Sequence, residues 1–213
     1  MRLRTVGRPR SESRAPLLVV LDGPDYVRRA RLLALLRRLV DDGSLPGHRV
    51  ALVSGEDRME AFSASARYAR ALAAALAELG SGRRVGLGSS LGALALLHAH
   101  RLEPRTFAGL FLQSGSYFRR RTDPQERGFA RFGRIERFVG SVLNAVDGAR
   151  PVPTTITCGL DEENYTNNAL VAQALAAQGY AVDFHAARGA HDWPTWKRAI
   201  DSYLAALLRK AWR

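Results

Sequence analysis

The feature that most constrains this chain is a recurring pair: a short, unbroken apolar run, then a stretch with helical periodicity. The runs are LLVVL (17–21), RVALVS (49–54), RVGLG (84–88), FAGLFLQS (107–114), TTITCG (154–159) and YAVDFH (180–185). Apolar runs this short, without polar alternation, read as strands covered on both faces. Between them, 27–42 places Ala30, Leu33, Leu36 and Val40 at helical spacing. Further helices are predicted over 65–79, stopped by Gly80, and over 90–101, 164–178 and 195–208. Strand–helix alternation with short turns requires a mostly parallel sheet with helices on both faces, an α/β fold. In such sheets sites lie outside the carboxyl ends of the strands. The turns after Leu21, Gly88, Ser114, Gly159 and His185 are therefore the places to look.

Two segments break the rhythm. Residues 1–16 are polar, rich in arginine and interrupted by Pro9 and Pro16, and are expected to form a tail or one edge strand. Residues 17–213 then form a single domain, in which 117–147 is expected to be an insertion or lid. That segment carries many arginines, Phe118, Phe129, Phe132 and Phe138, and a helical pattern near 135–146.

Several classes are excluded or demoted. At 213 residues the chain can bury a sizeable core without covalent staples. A single cysteine, Cys158, rules out an internal disulfide and a cysteine-cluster metal site. No apolar run approaches the roughly 18 residues that span a bilayer. No apolar stretch follows the first arginines, so a secretory signal and a membrane role are not expected, and the default compartment is the cytoplasm. The formal net charge is +12, and Lys197 and Lys210 are the only lysines. The arginines are spread along the whole chain, whereas a nucleic-acid binder concentrates them on one face or arm. The charge alone predicts non-specific, salt-sensitive binding and no specific nucleic-acid partner.

The turn after the third run reads Gly88-Ser89-Ser90-Leu91-Gly92. This is G-x-S-x-G between a strand and a helix, the setting of a nucleophile elbow. Glycines at both flanks are expected to relieve Cβ clashes in a sharp turn. Ser90 fits the middle position; Ser89 does not, because its flanking positions are Leu87 and Leu91. The bland reading is a helix-capping serine. Of five histidines, His98 and His100 fall within the helix that follows and are expected at the surface or an interface. His48 precedes a strand and His185 ends one. His191 lies in ARGAHDWPTW, a loop before the last helix, from which a base reaches the elbow across the sheet edge. The orienting acid comes from Asp161, Glu162 or Glu163 in CGLDEEN. The usual acid position of this fold, three residues past the strand-ending glycine, selects Glu162. Asp161 is the close alternative, and its other expected role is a helix cap.

LLVVLDGPDY, GLGSSLG, FLQSGSYF, CGLDEENYTNN and GAHDWPTWKRAI together resemble the enterochelin-esterase-like (esterase D-type) serine esterases of the α/β-hydrolase superfamily. The resemblance spans Leu17 to the C-terminus. It implies Ser90 as nucleophile, His191 as base and an acid in 161–163, acting on a small-molecule ester with no metal or organic cofactor. It also implies an oxyanion hole from the Leu91 N–H and the Asp22–Tyr26 loop, with Gly23 and Asp25 as its members. Tyr26, Tyr117 and Trp193 are the expected substrate contacts. Two departures stand out. Few residues precede the first run, so the N-terminal edge of the sheet is expected to be short. Pro24 follows Gly23 and has no N–H to donate. The resulting expectation is a serine hydrolase cleaving carboxylic esters through an acyl-enzyme. The alternatives are an acyltransferase or thioesterase with the same triad, or a non-catalytic binding protein on a hydrolase scaffold. The arginines and phenylalanines of 117–138 suit either an aromatic or anionic ester, or a surface segment with a few anchoring rings.

Overall fold

The computed structural model describes residues 2–9, 13–55, 57–148 and 150–213. In chain order its elements are β1 (Arg2–Val6), β2 (Leu17–Leu21), α1 (Gly23–Arg29), α2 (Leu32–Asp41), β3 (His48–Val53), α3 (Arg58–Phe62), α4 (Ala66–Ala77) and β4 (Arg84–Ser89). There follow α5 (Leu91–Leu102), β5 (Gly109–Gln113), α6 (Phe132–Leu143), β6 (Thr154–Gly159), α7 (Tyr165–Ala177), β7 (Val182–Ala187), α8 (Trp193–Ala199) and α9 (Ala205–Ala211). The strands form one sheet in the order β1-β3-β2-β4-β5-β6-β7. All neighbours are parallel except β1, which runs antiparallel to β3 with Arg2 opposite Leu52 and Val6 opposite His48. The arginine-rich start of the chain thus supplies a single edge strand.

Successive residues of a strand point to opposite faces. In β2, Leu17, Val19 and Leu21 enter one core, and Leu18 and Val20 enter the other. The first core lies under α3 to α7, the second under α1, α2 and α9. All five β2 residues are completely buried, as an apolar run without alternation requires. Helix α5 is buried along most of its length. It crosses the middle of the sheet, which fixes its first residue beside the end of β4.

Three elements differ from the periodicity. The helix predicted over 27–42 is two helices, because Arg31 takes a left-handed conformation (φ 54°). The buried positions explain the break: Tyr26 and Ala30 face the core, then Leu32, Leu35 and Leu36 do. One continuous helix cannot hold both sets in phase. The predicted 195–208 helix begins earlier and includes a π-turn at Ile200–Leu204. A short helix, α3, has no apolar periodicity of its own. Its Asp57 side chain caps the Glu60 N–H, and its Phe62 is completely buried.

The 117–147 segment contains α6, whose Ile135, Val139 and Val142 reach the first core. Phe118 stacks on Phe132 and packs edge-on to Phe129, anchoring the loop before it. The segment is tied to α3 through Glu60, whose carboxylate bonds Arg131 and Arg134 at 2.6 Å each. Those bonds hold the Glu60 carboxyl down at about 2, from an ordinary 4.5. A depressed carboxylate adds stability above its unfolded value and loses it as pH falls through the folded one. Wild-type melting temperature should therefore drop more steeply between pH 4.5 and 2 than that of Glu60→Gln. Parallel melting curves for the two proteins across that window would remove this link.

Candidate active site

Ser90 stands between β4 and α5 with φ 54° and ψ −125°. A non-glycine residue at positive φ is uncommon and held only by its surroundings. The Ser90 N–H donates to the Gln113 carbonyl at 2.9 Å, and the Ser116 N–H donates to the Ser90 carbonyl at 3.2 Å. Both bonds come from β5 or the turn beyond it. The two glycines of the motif are not equivalent. A Cβ on Gly88 would lie 2.8 Å from the Gly92 carbonyl carbon, closer than packing permits. A Cβ on Gly92 would meet Leu21 at 3.5 Å and Asp22 at 3.6 Å, ordinary contacts. The expectation of two sterically required glycines is corrected to one.

Glu162 and His191 are brought together. His191 Nδ1 lies 2.7 Å from Glu162 Oε2, so a proton on Nδ1 is donated to the carboxylate. The other oxygen, Oε1, accepts the Ser114 hydroxyl and the Gly159 N–H, each at 2.7 Å. Burial opposes ionisation of this carboxyl, yet the bonds from His191, Ser114 and Gly159 outweigh it and hold its pKa below the ordinary range. The Glu162 side chain is 1% exposed, that of His191 42%. Ser114 is itself at positive φ (47°) and accepts the Trp196 indole N–H at 2.9 Å. The Gln113 amide donates to the Trp196 carbonyl, and Tyr26 donates to the Gln113 side-chain oxygen at 2.7 Å. The Trp196 ring stands edge-on to His191 at 5.1 Å.

Ser90 and His191 line one cleft of about 430 Å³, with Ser116 and Phe118. No hydrogen bond joins them: the Ser90 hydroxyl is bonded to the Ser116 hydroxyl at 3.1 Å. Resting enzymes often hold such pairs loosely, closing the bond only with substrate present. The cleft's carboxylates are Asp123, Glu126, Asp161, Glu162 and Glu163, and among the described residues no arginine or lysine lines it. Arg119 and Arg121 instead line a separate cavity of about 360 Å³ beside Leu143 and Leu170. This overturns a cleft-facing arginine patch for an anionic ester.

The oxyanion candidates separate. Leu91 and Gly23 each begin a helix, where N–H groups have no intrahelical acceptor, and among the described residues neither N–H is bonded. The Asp25 N–H is already given to the Asp22 carbonyl at 3.0 Å, so Asp25 is removed from the set. Asp22, left-handed at φ 55°, takes Arg58 Nε at 2.9 Å and Nη2 at 2.8 Å. That ion pair fixes the turn before Gly23.

Other expectations are corrected. Tyr26 and Tyr117 are completely buried and offer no surface to a substrate. Trp193 packs edge-on to Tyr26 and Trp196, with Arg29 over its face, and is outside the cleft lining. Asp161 is exposed, bonds neither His191 nor the start of α7, and caps nothing; Asn164 holds the cap position. His98 and His100 lie at interfaces, edge-on to Phe138 and Tyr180, and burial lowers both to about 4. His48 is buried on the Pro46 carbonyl, and His185 stacks on Tyr203. Ser114, Ser116, Trp196 and Arg58 were not singled out from sequence. The serines of QSGS were the available signal, at the end of a predicted strand. Among the described residues no group of three or more His, Cys, Asp or Glu is placed to hold a metal ion. No helix among them is long and apolar enough to cross a membrane.

No family model matches the chain, and no curated protein matches it in sequence. Solved structures do. Enterobactin esterase from Shigella flexneri, crystallised in the presence of enterobactin, superposes with a TM-score of 0.81 at 22% identity. That match covers 97% of this chain and 54% of the other, so the chain spans about half the length of the esterase. A ferulic acid esterase gives 0.68 at 20% identity, over 93% of this chain and 86% of that one. S-formylglutathione hydrolase from Staphylococcus aureus gives 0.65 at 13%, over 92% and 82%. The fold is α/β-hydrolase-like.

The elbow carries its own test. Gly88→Ala should cost about 1–3 kcal/mol, the usual penalty of overpacking. Gly92→Ala, inside a helix with room for a methyl, should be neutral or stabilise by about 0.5–1 kcal/mol. Urea unfolding of the two variants checks this; equal losses would restore the symmetric reading.

Proposed function

We propose that the chain is a serine hydrolase acting on carboxylic esters, with Ser90 as nucleophile, His191 as general base and Glu162 as the orienting acid. The observation that carries the reading is the strained Ser90 facing the same cleft as a His191 held by a buried carboxylate. The solved structures of like fold are esterases and hydrolases, which agrees with it.

In this mechanism Ser90 Oγ turns from Ser116 toward His191 Nε2 and loses its proton there as it attacks the ester carbonyl. The tetrahedral oxyanion takes the Leu91 and Gly23 N–H groups. His191 returns the proton to the leaving alcohol. Water, deprotonated by the same ring, then releases the acid and frees Ser90. Glu162 keeps Nδ1 protonated, so that Nε2 is free to accept, and stabilises the imidazolium. A binding protein on the same scaffold is the second reading. Pro24 favours it by taking one N–H from the oxyanion loop, and loss of one donor typically costs about 10²–10³-fold.

Hydrolysis of p-nitrophenyl acetate separates the two. Ser90→Ala should lower kcat by on the order of 10⁴-fold or more, and Ser89→Ala should leave it within a few-fold. Wild-type turnover no faster than that of Ser90→Ala would establish the binding reading. Glu162→Gln should lose about 10⁴-fold, while Asp161→Asn keeps most activity. The reverse order would move the acid by one residue.

The carboxylate-lined cleft sets a preference. At low salt, kcat/KM should fall from choline esters, through their uncharged 3,3-dimethylbutyl counterparts, to carboxylate-bearing esters. Added salt should narrow the series. Faster turnover of the carboxylate-bearing ester would mean that another part of the surface governs selection.

A further inference from the structure

At the end of the sheet opposite Ser90, where β4, β5 and β6 begin, lies a second cavity of about 430 Å³. That size is within the range of small-molecule sites. Arg83, Arg84, Arg105 and Arg150 line it, together with Ser81 and Thr106. Arg84 is half-buried and the other three are exposed, and none of the four forms an ion pair among the described residues, although exposed arginines elsewhere do. Arg83 and Arg84 give one bond each to main-chain oxygens of Arg213 and Gly80. The Arg84 Nε is buried without an acceptor. Behind it, across β2, stands Arg49, 7% exposed, and its Nε is also unmatched. Burial, and then the Arg49 cation, pull the Arg84 pKa below its ordinary value. Glu103 lines a neighbouring cavity with Arg105 and Arg150 and, among the described residues, pairs with neither.

Four like charges around one cavity repel one another, and the half-buried Arg84 also loses hydration. Such an arrangement costs stability unless an anion completes it. A single carboxylate answers one guanidinium. Four of them around one cavity match an anion with several charges and many acceptor oxygens, which guanidinium forks grip in pairs. We propose that this pocket binds a small anion carrying two or more linked phosphate groups. It lies at the amino ends of the strands and the esterase cleft lies at their carboxyl ends, so binding here does not depend on the proposed catalysis.

Tripolyphosphate is the probe, titrated calorimetrically at fixed ionic strength with sulfate as the control anion. Saturable binding of one tripolyphosphate per chain is expected, with a matching rise in melting temperature. Arg105 and Arg150 are exposed and have no side-chain partners among the described residues, so Arg105→Gln/Arg150→Gln should fold normally, as circular dichroism would verify. That variant should weaken binding by about tenfold or more, since each lost contact is a charge-assisted hydrogen bond. Arg119→Gln/Arg121→Gln and Ser90→Ala should bind as wild type does. Absence of binding would overturn the proposal. So would an equal effect from sulfate, or equal binding by wild type and Arg105→Gln/Arg150→Gln.

Discussion

The Glu162 carboxylate is the point through which the site is assembled. An ionised group almost wholly removed from water must be satisfied on both oxygens. Here Ser114 comes from the end of β5, Gly159 from the end of β6, and His191 from the loop after β7. Ser114 then passes the constraint to α8 by accepting the Trp196 N–H. Gln113 passes it to Tyr26 and to the elbow, whose Ser90 N–H it receives on its carbonyl. One buried charge thus fixes the relative positions of several strand ends. The removal of any one donor leaves the others to bear an unmatched carboxylate.

Charge is distributed unevenly over this basic chain. The cleft at the carboxyl ends of the strands is lined by acids. The cavity at their amino ends is lined by arginines that have no ion-pair partner among the described residues. Summed over the sequence these cancel into one net figure, and a reading of composition sees only arginine spread along the chain. The two cavities, at opposite ends of the sheet, carry opposite signs. A charged ligand entering either cavity meets the local field rather than the net charge.

Much of the architecture was legible because strands buried on both faces leave unbroken apolar runs. β2 and β6 were delimited to the residue, and the G-x-S-x-G turn located the strand-to-helix junction at Ser90. The usual acid position of such folds, three residues beyond Gly159, favoured Glu162 and left Asp161 as the alternative; His191 Nδ1 lies 2.7 Å from the Glu162 carboxylate. What sequence did not give depends on distance in space. Tyr26 and Tyr117 sit next to functional loops in sequence, and their rings turn into the core. The Asp25 N–H was a plausible donor until the α1 turn consumed it. The break at Arg31 reflects a change of helix phase that a four-residue pattern cannot register. Ser116 and Arg58 meet Ser90 and Asp22 only through tertiary packing.

In the proposed mechanism the fold makes Ser90 a nucleophile through His191. Treatment with a fluorophosphonate, followed by peptide mapping, tests it most directly. One adduct per chain is expected, on Ser90, formed by the native protein, much slower in His191→Gln and absent after unfolding in urea. A native protein that takes no label, or carries it on a residue other than Ser90, would contradict it.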